Sequence, residues 1–218
     1  MTETQNLLPL IAIIGVVGLL PLAVVTMTGF LKISVVLFLI RNAIGVQQVP
    51  PNLVLYGIAL VLTVYVTTPL LTEVQRTLVE GQARFETAED IARSADLVRE
   101  PIKRHLIRFT KPEERRFFLE GTQRLWPEEA RQDVRDDDLS ILVPAFVASE
   151  LTRAFEIGFL LYLPFLVIDI VVANILMTLG MIMVSPVLIS IPLKLLLFVA
   201  VDGWSRLMHG LILSYAGS

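Results

Sequence analysis

A chain of 218 residues that is 55% hydrophobic, with a mean hydropathy of +0.71, lies far outside the composition of soluble domains. A net charge of −3 and the lack of a phosphate-binding basic run argue against nucleic acid as a partner. The absence of cysteine excludes disulfides, Cys-ligated zinc and thiol catalysis together. The composition implies an integral membrane protein with one polar insert, and its apolar runs, taken as helices, give an all-α fold.

The first element is an uncharged run over residues 4–31, about 42 Å long as a helix against a hydrocarbon core of about 30 Å. It follows Glu3 and no basic residue, whereas a signal peptide needs a basic start, so a retained membrane segment is expected. Lys32 and Arg41 follow with no acid between them, and serve as topology anchors on the cytoplasmic side of a short connection. The N-terminus and the polar insert then lie on the opposite side, in a bacterium the periplasm. A second apolar run, 53–71, is long enough for one span of about 28 Å. Thr63, Thr67 and Thr68 within it are read as helix-packing hydroxyls.

Residues 72–138 hold 29 of the 39 charged residues, with helical periodicity. Thr110-Lys111-Pro112-Glu113 predicts a capping box with Pro in the first helical turn, and Phe117, Phe118 and Leu125 an apolar face. Apolar sequence resumes at 157–183 and again at 187–201. The chain divides into an N-terminal hydrophobic hairpin region (1–71), a helical insert (72–140) and a C-terminal hydrophobic hairpin region (141–218). Prolines 9, 21, 50, 51, 69, 164, 186 and 192 punctuate the apolar stretches. An interior proline frees a carbonyl that lipid cannot satisfy, so Pro-broken helices packed in an assembly are expected.

Residues 144–204 carry Glu150, Arg153, Glu156, Asp169, Lys194 and Asp202 in otherwise membrane-like sequence. Each charge at a bilayer centre costs roughly 2.5–3.5 kcal/mol, so these groups must face protein or water and pair there. Glu150 and Arg153 share a helix face, Glu156 lies one turn on, and Asp202 and Arg206 are four apart. Asp169 and Lys194 lack local partners. A pair between them across a hairpin competes with a proton relay, because intramembrane acids mark ion pathways.

Two blocks carry a resemblance. TGFLKISVVLFLIRNAIGVQQVPPN (28–52) and PAFVASELTRAFEIGFLLYLPFLVIDIVVANILMTLGMIMVSP (144–186), continued by IPLKLLLFVAVDGWSRL (191–207), resemble the signatures of the type III secretion export-gate family. This family is called FliP in flagella and SctR, YscR, HrcR or SpaP in injectisomes. The wording SELTRAFEIGF resembles the injectisome branch. The resemblance implies a homo-oligomeric, pentameric ring with SctS/FliQ-like and SctT/FliR-like small membrane subunits and an SctU/FlhB-like switch protein. It also implies contact with the inner rod and with unfolded export substrates passing a central pore. The implied location is the bacterial inner membrane, multi-pass, with the assembled core projecting toward the periplasm.

The family's methionine-rich pore gasket maps by resemblance onto Met181, Ile182 and Met183. Thioethers repack around different shapes while staying apolar, whereas Ile182, where the family pattern has methionine, is stiffer at χ1. Ordinary lipid- or core-facing methionine is the plainer alternative. No phosphate loop, His-Glu-x-x-His or Gly-x-Ser-x-Gly motif occurs, and His105 and His209 have no metal-ligand spacing. No enzyme activity, cofactor or metal is expected. A structural and gating subunit is the reading; an ion-coupled transporter or proton channel using Glu150, Glu156 and Asp169 is the alternative.

Overall fold

The computed structural model describes residues 7–46, 48–85, 87–131 and 133–216; residues 1–6, where the retained N-terminal segment was expected to begin, lie outside them. Among the described residues every regular element is a helix, and there are no strands. The helices are α1 (Leu7–Met27), α2 (Phe30–Ile44), α3 (Asn52–Glu80), α4 (Ala88–Phe109), α5 (Pro112–Leu125), α6 (Glu128–Arg131), α7 (Leu139–Thr178), α8 (Pro186–Ala200) and α9 (Gly203–Leu213). Helices α3 and α7 are long and apolar enough to cross a membrane, and four spans result if α1–α2 and α8–α9 each count as one interrupted span. At 40 residues α7 extends for about 60 Å, twice a hydrocarbon core.

The chain forms two compact units, 1–29 with 64–150, and 30–63 with 151–218, so α3 and α7 contribute to both. In the first, α1 packs on α4. Leu106 and Phe109 of α4 and Ile141, Leu142, Ala145 and Phe146 of α7 form the buried apolar centre. Ion pairs close its periphery. Lys103 donates to Asp137 at 3.0 Å and lies 3.7 Å from Asp138, Arg115 reaches Asp136 at 3.3 Å, and Arg104 pairs with Glu73. The hydrogen bond from Lys103, aided by its charge, holds the Asp137 carboxyl below its ordinary range.

Helix starts here correct one expectation. The capping box lies at the head of α4, where Thr87 and Asp90 cap each other's backbone amides, and not at Thr110. Because α4 runs to Phe109, Thr110 is its C-cap and turns its hydroxyl back to the Leu106 carbonyl at 2.6 Å. Helix α5 begins with Pro112 in its first turn, and the Lys111 amide donates to Ser149 Oγ at 2.9 Å. The apolar face expected on α5 is present but uncovered: Phe117 and Leu125 are exposed.

In the second unit α2 is the central element. Ile33, Val36, Leu37, Ile40 and Ile44 recur at helical spacing and are buried. Phe30 and Phe38 pack on Tyr56 of α3, and Gly158 of α7 lets Leu39 approach to where a Cβ would stand 2.3 Å away. Phe165, Phe198 and Trp204 join α7, α8 and α9 in an aromatic run. On α3, Thr63 and Thr68 donate back to the Ala59 and Val64 carbonyls, and the helix continues through Pro69.

Candidate functional site: the α7–α8 hairpin and its buried ion pair

Helix α7 ends in a Schellman motif. Gly180 adopts φ +73°, its amide donates to Met177 O at 3.0 Å, and the Met181 amide donates to Leu176 O at 2.9 Å. The chain then turns over residues 179–185 and enters α8 through Ser185 as N-cap and Pro186 in the first turn, where proline's missing N–H costs nothing. Both ends of the turn are therefore set by local backbone chemistry. Its apex carries Met181, Ile182 and Met183 at 42, 87 and 101% exposure. Ile182 and Met183 stand almost wholly uncovered and Met181 partly so, and together they form a ready contact surface.

Below the apex, Lys194 Nζ donates to Asp169 Oδ2 at 2.6 Å and to the Ala43 carbonyl at 3.0 Å. Ala43 O is one of the last four carbonyls of α2, which lack intrahelical donors and sit at the negative end of the helix dipole. One buried ammonium thus ties α7, α8 and the end of α2 together. Asp169 lies nine residues before the end of α7, about 13 Å along the helix, so the pair rivets the hairpin well below its turn. Gly45 follows at φ +82°, with Ile191 Cγ1 3.3 Å from where a Cβ would stand.

The other singled-out residues are placed as follows. Lys32 is completely buried, its Nζ 3.4 Å from the centroid of the Tyr215 ring, a cation–π geometry. Arg41 donates to Pro50 O at 3.2 Å and to Asn52 Oδ1 at 2.6 Å, bracing the turn between α2 and α3. Glu150 is buried, Arg153 half-buried and Glu156 exposed, all on α7. Asp202 and Arg206 are both exposed and are linked through the backbone, the Arg206 amide donating to Asp202 O at 3.1 Å. Asp202 lies in left-handed backbone at φ 54°, outside α9, so the helical spacing rule does not bring the two side chains together. The Lys32–Tyr215 contact, the Arg41 fork and the Ala43 acceptor were not foreseen. Lys32 inside an apolar run with no acid nearby was the one signal available.

The fold and this hairpin define an all-α protein of membrane type, with Lys32, Glu150 and Lys194 turned inward. Residues 13–211 match the FliP family. The chain is 56% identical to "Probable translocation protein y4yL" of Sinorhizobium fredii over 99% of its length and 97% of that relative. It is 46% identical to "Yop proteins translocation protein R" of Yersinia pestis across the whole of both chains. It is 42% identical to "Harpin secretion protein HrcR" of Erwinia amylovora over 98% of this chain and 99% of that one. The chain belongs to the FliP family, as the two signature blocks implied.

Proposed function

We propose that this protein is a core structural and gating subunit of a type III secretion export gate, with residues 181–183 sealing a protein-conducting pore. Membership of the FliP family and relatives named for translocation and secretion support the secretion role. The gating role rests on one observation: three apolar side chains stand exposed at the apex of a turn whose two ends are fixed and whose base is riveted by Asp169 and Lys194. Several copies brought together about an axis would pool these side chains into an apolar constriction. Such a ring, pentameric in this reading, would include SctS/FliQ-like and SctT/FliR-like subunits and engage an SctU/FlhB-like protein, the inner rod and unfolded substrates. It would sit in the inner membrane, projecting toward the periplasm. The chain acts here as a scaffold and seal rather than as a catalyst, and energy comes from its partners.

The large apolar exposure on α7, including Phe159, Val167, Ile170 and Met177, fits this reading, since neighbouring subunits or lipid must cover it. The test is to replace residues 181–183 by Gly-Ser-Gly in cells carrying the partner subunits. Ring assembly is then followed by native mass spectrometry and ion leak by membrane-potential dye. Intact rings that leak are expected. Intact rings that hold the potential would overturn the seal; loss of flux only on Asp169→Asn, with assembly intact, would favour an ion pathway instead.

A further inference from the structure

An apolar cavity of about 300 Å3 lies in the second unit among α2, α7, α8 and α9, lined by Ile40, Leu161, Pro164, Phe198, Leu207 and others, with Arg206 as its one charged neighbour. We infer that it seats an acyl chain of an anionic phospholipid, with the Arg206 guanidinium on the headgroup phosphate. The cavity is open on one side and its lining is almost wholly apolar, so it suits a chain-like hydrocarbon entering from outside and offers water few hydrogen bonds. The cavity is built at the break between α8 and α9, which bend by 63° around residues 201–202. Gly203 is essential to its wall, because a Cβ there would stand 2.3 Å from the Phe198 ring.

Charge decides the occupant. Arg206 is exposed, and among the described residues its guanidinium takes part in no ion pair. Asp202, one turn earlier, meets it only through the backbone. A neutral apolar side chain from a neighbouring subunit would fill the cavity but leave that guanidinium unanswered. An anionic headgroup answers it, its phosphodiester oxygens meeting the guanidinium in the bidentate geometry that group favours, whereas in phosphatidylcholine the trimethylammonium offsets the same phosphate. The helices that line the site are those long or apolar enough to contact a bilayer, so the ligand is at hand.

The experiment is native mass spectrometry of the full chain in mild detergent, titrated with phosphatidylglycerol or phosphatidylcholine of the same acyl composition. Phosphatidylglycerol adducts should survive collisional activation that strips phosphatidylcholine. Arg206→Gln should reduce retention of phosphatidylglycerol several-fold, to the phosphatidylcholine level. Leu161→Trp, which fills the cavity, should reduce both, and Val201→Phe, at another lining residue, does the same should the first variant lose its helical circular dichroism. Equal retention of the two lipids by the unmodified chain, or retention unchanged in Arg206→Gln, overturns the proposal. So does loss of the adducts on oligomerisation, which would assign the cavity to a side chain of a neighbouring copy.

Discussion

Lys194 of α8 and Asp169 of α7 meet at 2.6 Å across the hairpin, and the same ammonium closes the end of α2 through Ala43 O. Lys194 is buried and the Asp169 side chain one-third exposed, at 34%. Removing one member of a buried pair strands the other, which costs about 3–5 kcal/mol when burial is complete. With the carboxylate partly solvated, Lys194→Met is expected to cost about 2–3 kcal/mol, read as a lower melting temperature in detergent. The double variant Asp169→Leu/Lys194→Met should melt above Lys194→Met, because no charge is then left unpaired. A double variant as weak as the sum of the two singles would show that the groups are not coupled.

Gly203 supplies a second, purely steric prediction. An added Cβ would lie 2.3 Å from Phe198 Cε2 and 2.7 Å from its Cζ, and that ring is packed against both Phe165 and Trp204. The ring can yield only toward the apolar cavity it lines, and doing so loosens its contacts with both aromatic neighbours. Gly203→Ala should therefore cost about 1–3 kcal/mol, in the range of core overpacking. Gly210→Ala on the same helix, where a Cβ would meet nothing within 4 Å, is the control and should be neutral or slightly stabilising.

How much of this was legible in the sequence depended on the kind of force involved. The apolar runs located α1, α3 and α8 because hydropathy alone sets them. The start of α7 was hidden: Glu150, Arg153 and Glu156 break the hydropathy of residues 144–156, yet the helix runs on from Leu139 because nothing in its backbone demands a stop. Asp169 and Lys194 drew attention because each lacked a local partner. The third contact, a backbone carbonyl 151 residues from Lys194, leaves no trace in side-chain pattern. Asp202 and Arg206 are four apart, but Asp202 precedes the helix in left-handed backbone, a conformation that spacing alone does not reveal. The capping box was sought with Glu at its third position. The one formed uses Asp90 with Thr87, after a loop rather than directly after another helix.

His105 predicts a pH response. Its ring packs 5.0 Å from Phe109 and 6.3 Å from Phe146, and among the described residues its buried Nε2 has no hydrogen-bond partner. Desolvation, helped by the charge of Arg108, lowers its pKa from 6.5 to about 4. The folded chain thus keeps the imidazole neutral while the unfolded chain takes up a proton. Stability is unaffected by this group above pH 6.5 and falls as pH drops from 6.5 to about 4, by about 3 kcal/mol over the whole interval. Asp137, whose carboxyl is already held below 3.8, adds its own loss only at lower pH. Melting temperatures between pH 7.5 and 4.5 should fall for the unmodified protein and stay nearly level for His105→Phe. Parallel curves for the two would remove His105 as the cause.

The hairpin apex offers a prediction that separates backbone conformation from packing. Gly180 sits at φ +73°, and a Cβ there would meet nothing within 4 Å, so any effect of substitution comes from the left-handed backbone alone. A non-glycine residue in that region costs about 1–2 kcal/mol, less for asparagine and more for a β-branched side chain. Gly180→Asn should therefore be nearly silent and Gly180→Val the most damaging, with Gly180→Ala between them, when melting temperatures are compared. The strain falls on the Schellman bonds from Gly180 and Met181 to the end of α7, which orient the apex. If residues 181–183 seal a pore, ion leak through assembled rings should rise in the same order, Asn below Ala below Val. A leak that follows side-chain volume while melting temperature stays constant would instead place residue 180 itself in the constriction.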